Sequence, residues 1–217
     1  MDTRDLNNYD SVAAYLIEIF DLLNKEYFES ALSKPTITIQ STPKAYGHFS
    51  LQDDTWVSTL GKTHEINIGA GTLARPIEKV VATMVHEMCH YYNYMHGIKD
   101  CSRGNTYHNK KFKKCAEEHG LIVERTQSKG WNRTSPSGKL IEFVKEKSLT
   151  DILLYRNEGW RDPGNATPGT DSEKPRTKRS STRKYICPQC GNSVRATKEI
   201  NLLCGDCMLR MEPEEKG

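Results

Sequence analysis

His86-Glu87-Met88-Cys89-His90 is the stretch on which the reading of the chain turns. On an α-helix, residues four apart share a face, so His86 and His90 can grip one metal ion between them. Glu87 sits about 100° further round such a helix, beside the ion rather than on it. That is the place for a general base acting on a water that a metal activates. A five-residue match of this kind arises by chance in about one chain in a hundred of this length, so the flanking sequence must carry the argument.

The flanks put the motif on a helix. Gly69-Ala70-Gly71 breaks a strand and Pro76 suits a first helical turn. Val80, Val81, Met84, Val85, Met88 and Cys89 then form one apolar side. Upstream, Ser11 to Leu32 reads as an amphipathic helix with Val12, Tyr15, Leu16, Ile19, Leu22, Leu23 and Phe28 on its dry face, closed by Pro35. Residues 36–40 and 64–68 alternate as half-buried strands, with weaker strands at 46–50 and 55–58, and a small antiparallel sheet is the economical arrangement. His48 and His64 read as strand or cleft residues, because no spacing ties them to the motif helix.

Two histidines compete to be a third ligand. Residues 97–104 read as a loop, and a second helix from about Thr106 puts His108, Phe112, Cys115, Ala116 and His119 on its inner face before Gly120 ends it. His86 through His96 also matches H-E-x-x-H-x-x-G-x-x-H, except that Asn93 stands in place of the glycine. Asn is the residue after Gly most tolerant of left-handed backbone, so spacing alone leaves both His96 and His108 open. Leu121-Ile122-Val123 reads as a strand, and residues 121–160 are attached to the first domain without a clear period.

A chain of 217 residues suffices for one ordinary domain and a small appendage. Hydrophobic content of 36% and charged content of 27% fit a soluble protein. The polar, acidic start MDTRDLNNYD is no signal peptide, and no apolar run approaches the ~18 residues of a membrane span. Seven cysteines, four of them in C-x-x-C pairs, indicate metal ligation in a reducing compartment, so a cytoplasmic monomer is expected, nucleoid-associated if it acts on DNA. The net charge of +3 names no partner by itself; its placement matters more. Residues 161–184 read as a basic flexible linker, and KPRTKRSSTRK within it makes Lys178 and Arg179 candidate phosphate contacts. Arg103, Lys110, Lys111, Lys113 and Lys114 crowd the second helix and its approach with no acid between Cys101 and Ala116, a second candidate nucleic-acid surface.

In residues 185–217, Cys187-Pro-Gln-Cys190 and Cys204-Gly-Asp-Cys207 are two knuckles 13 residues apart. Four thiolates in tetrahedral array make a closed structural Zn²⁺ site, with Gly191 and Gly205 easing the backbone round the ion. So short a segment has little core of its own, so the metal should supply most of its folding energy.

The N-terminal helix, Ile37-Thr38-Ile39, Tyr46-Gly47, Ile66-Asn67-Ile68, the HEMCH helix, and His108 with Phe112 together resemble the SprT-like family of zinc metallopeptidases. The resemblance covers about the first 120 residues. It implies an α+β, zincin-like domain over 1–160, built from an N-terminal helix, a small antiparallel sheet, the motif helix and a second metal-ligand helix. A four-cysteine zinc ribbon follows. The resemblance also implies His86, His90 and His108 as ligands of a catalytic zinc and Glu87 as catalytic base. The ribbon would hold a second, structural Zn²⁺. The family often has glycine on either side of its third histidine, where this chain has Tyr107 and Asn109. The implied activity is endoproteolysis of proteins bound or crosslinked to DNA, with the substrate backbone aligned along an edge strand, for which Ile66-Asn67-Ile68 is the natural candidate. No oxyanion donor can be named; Tyr91 and Tyr92 are merely near. The competing reading is a non-catalytic nucleic-acid-associated protein with two structural metals, and it leaves Glu87 without a use. A secreted metzincin-like protease is opposed by the missing signal peptide and by the ribbon.

Overall fold

The computed structural model describes residues 5–42, 45–52, 54–157 and 183–214. The chain divides into two compact units, Met1–Ala166 and Thr167–Gly217. Among the described residues no helix is long and apolar enough to cross a membrane.

The first unit begins with α1 (Tyr9–Tyr27), started by Asn8, whose side chain accepts the Ser11 N–H. It ends five residues short of the expected Leu32, because Glu29 and Ser30 take left-handed backbone that no helix continues through. Strands β1 (Thr36–Gln40), β2 (Gly47–Phe49), β3 (Trp56–Ser58), β4 (Gly61–Thr63) and β5 (Glu65–Gly69) follow. The motif helix is α2 (Ile77–Met95). After it come β6 (Cys101–Ser102), β7 (Tyr107–His108), α3 (Lys110–Glu118), β8 (Leu121–Thr126), β9 (Gly130–Pro136) and α4 (Gly138–Glu146). The core lies where Val12, Leu16, Ile19, Phe20 and Leu23 of α1 meet Val80, Val81, Met84, Val85 and Met88 of α2. The apolar periods of the two helices converge there and exclude water.

The first sheet has the order β1-β5-β2 and is mixed, not antiparallel: β5 runs parallel to β1 and antiparallel to β2. All five residues of β5 are buried, including the polar ones. Thr38 donates to Glu65 (2.6 Å) and the Gln40 N–H to Asn67 (2.7 Å), so the face that looks wet in the sequence is satisfied internally. Ile66-Asn67-Ile68 is therefore a central strand, and the free edge beside α2 belongs to β2. Gly47 permits the close approach of the two: a Cβ there would lie 2.7 Å from the Asn67 carbonyl oxygen and 3.3 Å from Cγ of Glu87. The β3–β4 hairpin is rooted by Trp56, whose Nε1 donates to Glu65 (2.9 Å).

Of the second sheet, ordered β6-β7-β9-β8, only the start of β8 at Leu121-Ile122-Val123 has a counterpart in the sequence pattern. The sheet corrects the placing of His108. That residue lies on β7, paired with Cys101 and Gly130, and α3 starts only at Lys110, where the Asn109 side chain accepts the Lys111 N–H. The weakly patterned stretch beyond residue 121 forms the β8–β9 hairpin and α4. The segment after α4 ties back to the first two helices: the Asp151 carboxylate accepts the Ile77 N–H that opens α2 (2.7 Å). The Tyr15 hydroxyl similarly accepts the Thr150 N–H (2.8 Å).

The second unit holds β10 (Arg183–Ile186), β11 (Ser193–Ala196) and β12 (Glu212–Pro213), in the order β11-β10-β12. Arg183 and Lys184, expected in the linker, are strand residues; Lys178 and Arg179 lie outside the described residues. Its small core is Tyr185, Cys187, Cys204 and Met211.

Candidate active site and metal centres

His86 and His90 project from one face of α2, as i, i+4 spacing requires, and β7 brings His108 across to meet them. Nε2 of His108 lies 3.3 Å from Nε2 of His86 and 3.1 Å from Nε2 of His90. A tetrahedral zinc with Zn–N bonds of 2.0–2.1 Å separates its nitrogens by about 3.3 Å, so the ring positions fit a shared ion. Phe112, fully buried on α3, floors the site, its ring centre 4.6 Å from those of His86 and His90 and 4.7 Å from that of His108.

The other ring nitrogens show how two of the rings are held. Nδ1 of His90 meets Asp100 at 2.7 Å, and Nδ1 of His86 meets the Thr134 hydroxyl at 3.0 Å. Each contact leaves Nε2 facing the common centre. Nδ1 of His108 is buried without a hydrogen-bond partner. Burial and the two neighbouring rings hold the His86 pKa well below its usual value, and burial with His90 brings His108 to about 4. Burial opposes charge on His90 as well, but hydrogen bonds to Asp100 and Cys101 and the nearby charges of Glu87 and Asp100 together outweigh it and lift the pKa to about 10. Two neutral imidazoles and one proton that an incoming cation would displace make a donor set suited to zinc.

His96 is elsewhere. The helix runs on through Asn93 to Met95, so no glycine-like turn occurs there, and His96 is an exposed C-cap residue with Nδ1 2.8 Å from the Tyr92 carbonyl. Asn93 is buried and donates to Asp100 (3.1 Å). Asp100 and Thr134 escape a reading by sequence, since nothing in their local sequence distinguishes them and only the second sheet brings them to the rings.

Glu87 is 6% exposed and lines the same cleft of about 1220 Å³ as the three histidines. Burial raises its pKa from 4.5 to about 7, against the pull of His90 and a hydrogen bond from the Phe49 backbone. A carboxyl titrating near neutrality can both take and return a proton. The β2 edge forms one wall through Gly47, His48 and Phe49, and β9 forms the facing wall through Asn132, Arg133 and Thr134.

The basic residues named above separate into groups. Arg103 lies over the Tyr107 ring (4.7 Å), while Lys110 and Lys111 are exposed. Lys113 covers Trp131 (4.5 Å) and pairs with Glu117 (3.4 Å), and Lys114 pairs with Glu118 (3.8 Å). The cations that line the cleft are Arg75, Lys79, Lys99, Lys129 and Arg133, none of which the sequence singled out.

In the second unit the four sulfurs of Cys187, Cys190, Cys204 and Cys207 lie within 4.8 Å of one another. Cys190 and Cys204 are 3.6 Å apart, close to the ~3.8 Å that tetrahedral Zn–S bonds of 2.3 Å impose. Backbone N–H groups of Cys207 and Asp206 point at the Cys204 sulfur and hold its pKa at about 7. The two knuckles repeat one design: Gly191 N–H bonds the Cys187 carbonyl, and Met208 N–H the Cys204 carbonyl. Both residues are left-handed, with φ of 74° and 55°. Thus Met208, not Gly205, occupies the turn position equivalent to Gly191. The cluster of four cysteines fits a zinc ribbon.

No curated protein and no solved structure matches the chain. A family model described as the SprT-like family matches residues 16–130, just over half of the 217, and the chain belongs to that family.

Proposed function

We propose that the chain is a zinc-dependent endopeptidase acting on proteins bound or crosslinked to DNA. The observation that carries the peptidase reading is Glu87, buried beside three converging imidazoles at the base of an open cleft, with a pKa of about 7. A site that only stabilised the fold would have no use for a carboxyl kept at that cost. His86, His90 and His108 would hold the zinc, and the four ribbon cysteines a second one. When bound, the catalytic zinc supplies Lewis acidity towards water and the scissile carbonyl. Glu87 takes the proton from the attacking water and returns it to the leaving amine. The β2 edge, Gly47–Phe49, offers main-chain hydrogen bonds to an extended substrate strand. Lys79, Lys99 and Lys129 at the cleft support the nucleic-acid part of the reading, because DNA-bound substrates arrive with phosphate charge around them, whereas Arg75 is buried against Thr72, Thr83 and Tyr46 and Arg133 pairs with Glu124.

The test is cleavage of a DNA-binding protein, with and without single-stranded DNA, by the wild type and by Glu87→Gln. Loss of a general base should lower turnover about 10²–10⁴-fold while zinc content stays the same. Equal product from both proteins would sink the peptidase reading, and cleavage indifferent to DNA would sink only its substrate. Zinc content should be two per chain, one in His108→Ala, and unchanged in His96→Ala.

A further inference from the structure

Asp100 performs no chemistry in the scheme above, yet it is 9% exposed, and a buried carboxylate is costly unless it is paired. One oxygen of its carboxylate serves two partners on one helix, Nδ1 of His90 (2.7 Å) and Nδ2 of Asn93 (3.1 Å). Asn93 holds both ends of the loop that leads to Asp100. Its carbonyl accepts the Ile98 N–H (2.8 Å) where the loop leaves α2, and its side chain meets Asp100 where the loop ends. The main chain continues the connection. The Asp100 carbonyl accepts the Asn109 N–H (2.9 Å), and the next residue, Cys101, is the register partner of His108.

We infer that Asp100, held by Asn93, is the positioning residue of the candidate metal centre, its side chain setting His90 and its main chain setting the strand that carries His108. The inference rests on reading the three imidazoles as ligands. An acceptor on Nδ1 keeps the proton there and leaves the Nε2 lone pair for the ion, and it stops the ring from turning. Asn93 explains itself in the same way: glycine at that position would supply no donor to Asp100 and would weaken the last turn of the helix. Both ligand-bearing elements are thus referred to one residue, α2 to its carboxylate and β7 to its main chain.

The test uses the full chain and reads zinc affinity by chelator competition, with the ribbon zinc as internal control and the visible bands of Co²⁺ at the histidine site as a second readout. Asp100→Ala should weaken zinc at the histidine site about 10–100-fold and leave the ribbon zinc unchanged. Asp100→Asn keeps an oxygen that can accept from both partners, so it should recover affinity to within about tenfold of the wild type. Asn93→Ala should fall between Asp100→Asn and the wild type. If Asp100 serves only to close the loop, Asp100→Ala will melt earlier yet bind zinc with wild-type affinity, and the inference fails. It also fails if Asp100→Asn binds no better than Asp100→Ala. Should the alanine protein not fold, the zinc affinities of Asp100→Asn and Asn93→Ala decide: wild-type affinity at the histidine site in both overturns the inference. No peptide is cleaved in these measurements, so failure of the peptidase reading would leave their outcome intact.

Discussion

In the first unit, three imidazoles converge from α2 and β7, with Asp100, Thr134 and Phe112 arriving from further elements to hold or floor them. In the second, four thiols come from two knuckles within 21 residues, Cys187 to Cys207, and the buried core around them is little more than Tyr185 and Met211. The histidine site sits on a core that closes without any ion, since α1 and α2 bury their apolar faces against each other. The cysteine site has almost nothing else to fold around. A metal would thus be a passenger of one fold and a cause of the other.

The largest effect expected from that contrast is on chelation. Structural zinc supplies about 10–16 kcal/mol in finger-sized units, so stripping all metal should abolish amide protection across β10–β12. Helices α1 and α2 should keep theirs, because their burial does not involve the ion. Hydrogen exchange of the two units in the same sample measures this, and melting of α2 along with the ribbon would break the comparison.

Next in size is the stability that Glu87 costs the metal-free first unit. Its pKa is raised by burial from 4.5 to about 7, so the folded chain retains a proton that the unfolded chain releases earlier. Stability is therefore full below about pH 4.5 and is lost as the pH rises through 7. The 2.5-unit shift corresponds to about 3 kcal/mol, which metal-free Glu87→Gln should regain above pH 7 and not below pH 4.5. Denaturant melts of both proteins at the two extremes measure it. An equal gain at both extremes would mean that packing, not charge, had changed.

Smaller again is Gly47→Ala. The added Cβ meets the Asn67 carbonyl, which cannot move without shifting β5, so about 1–3 kcal/mol should be lost. Peptide cleavage should fall more than stability does, because β2 shifts relative to Glu87; a stable variant with full activity would show that this edge does not position substrate. The smallest expected change is in the ribbon. Met208 is 73% exposed and left-handed, so Met208→Gly should raise the stability of the zinc-loaded ribbon by about 1 kcal/mol. Zinc release under denaturant reports it, and a destabilised glycine variant would show that the Met208 side chain contributes more than its backbone strain costs.

Much of the molecule is legible in its amino-acid sequence, and the reasons differ from residue to residue. The α1 and α2 periods are readable because helical burial repeats every three to four residues, and His86, Glu87 and His90 inherit their geometry from that repeat. The ribbon is readable because both ends of each knuckle lie three residues apart. His108 is picked out as a ligand by resemblance but expected on the wrong element, since Asn109 caps α3 just after it and β7 is only two residues long. Asp100, Thr134 and the cleft cations Lys99, Lys129 and Arg133 go unmarked because loops and short strands carry no period. The edge strand is misassigned because alternation in β5 looks half-wet, while Thr38 and Gln40 hydrogen-bond its polar side in the interior.

Short-range spacing is therefore enough for what one helix turn or one knuckle can assemble: the His86–His90 pair with the Glu87 carboxyl beside it, and the two thiols of each knuckle. Long-range packing alone decides which strand lies free beside that carboxyl, how the two thiol pairs meet, which residues hold the two rings of α2, and how a histidine 18 residues past His90 comes within 3.3 Å of both. The physical reason is that a turn of helix constrains atoms within about 5 Å along the chain, whereas β-pairing and buried hydrogen bonds join segments whose separation in sequence carries no signal.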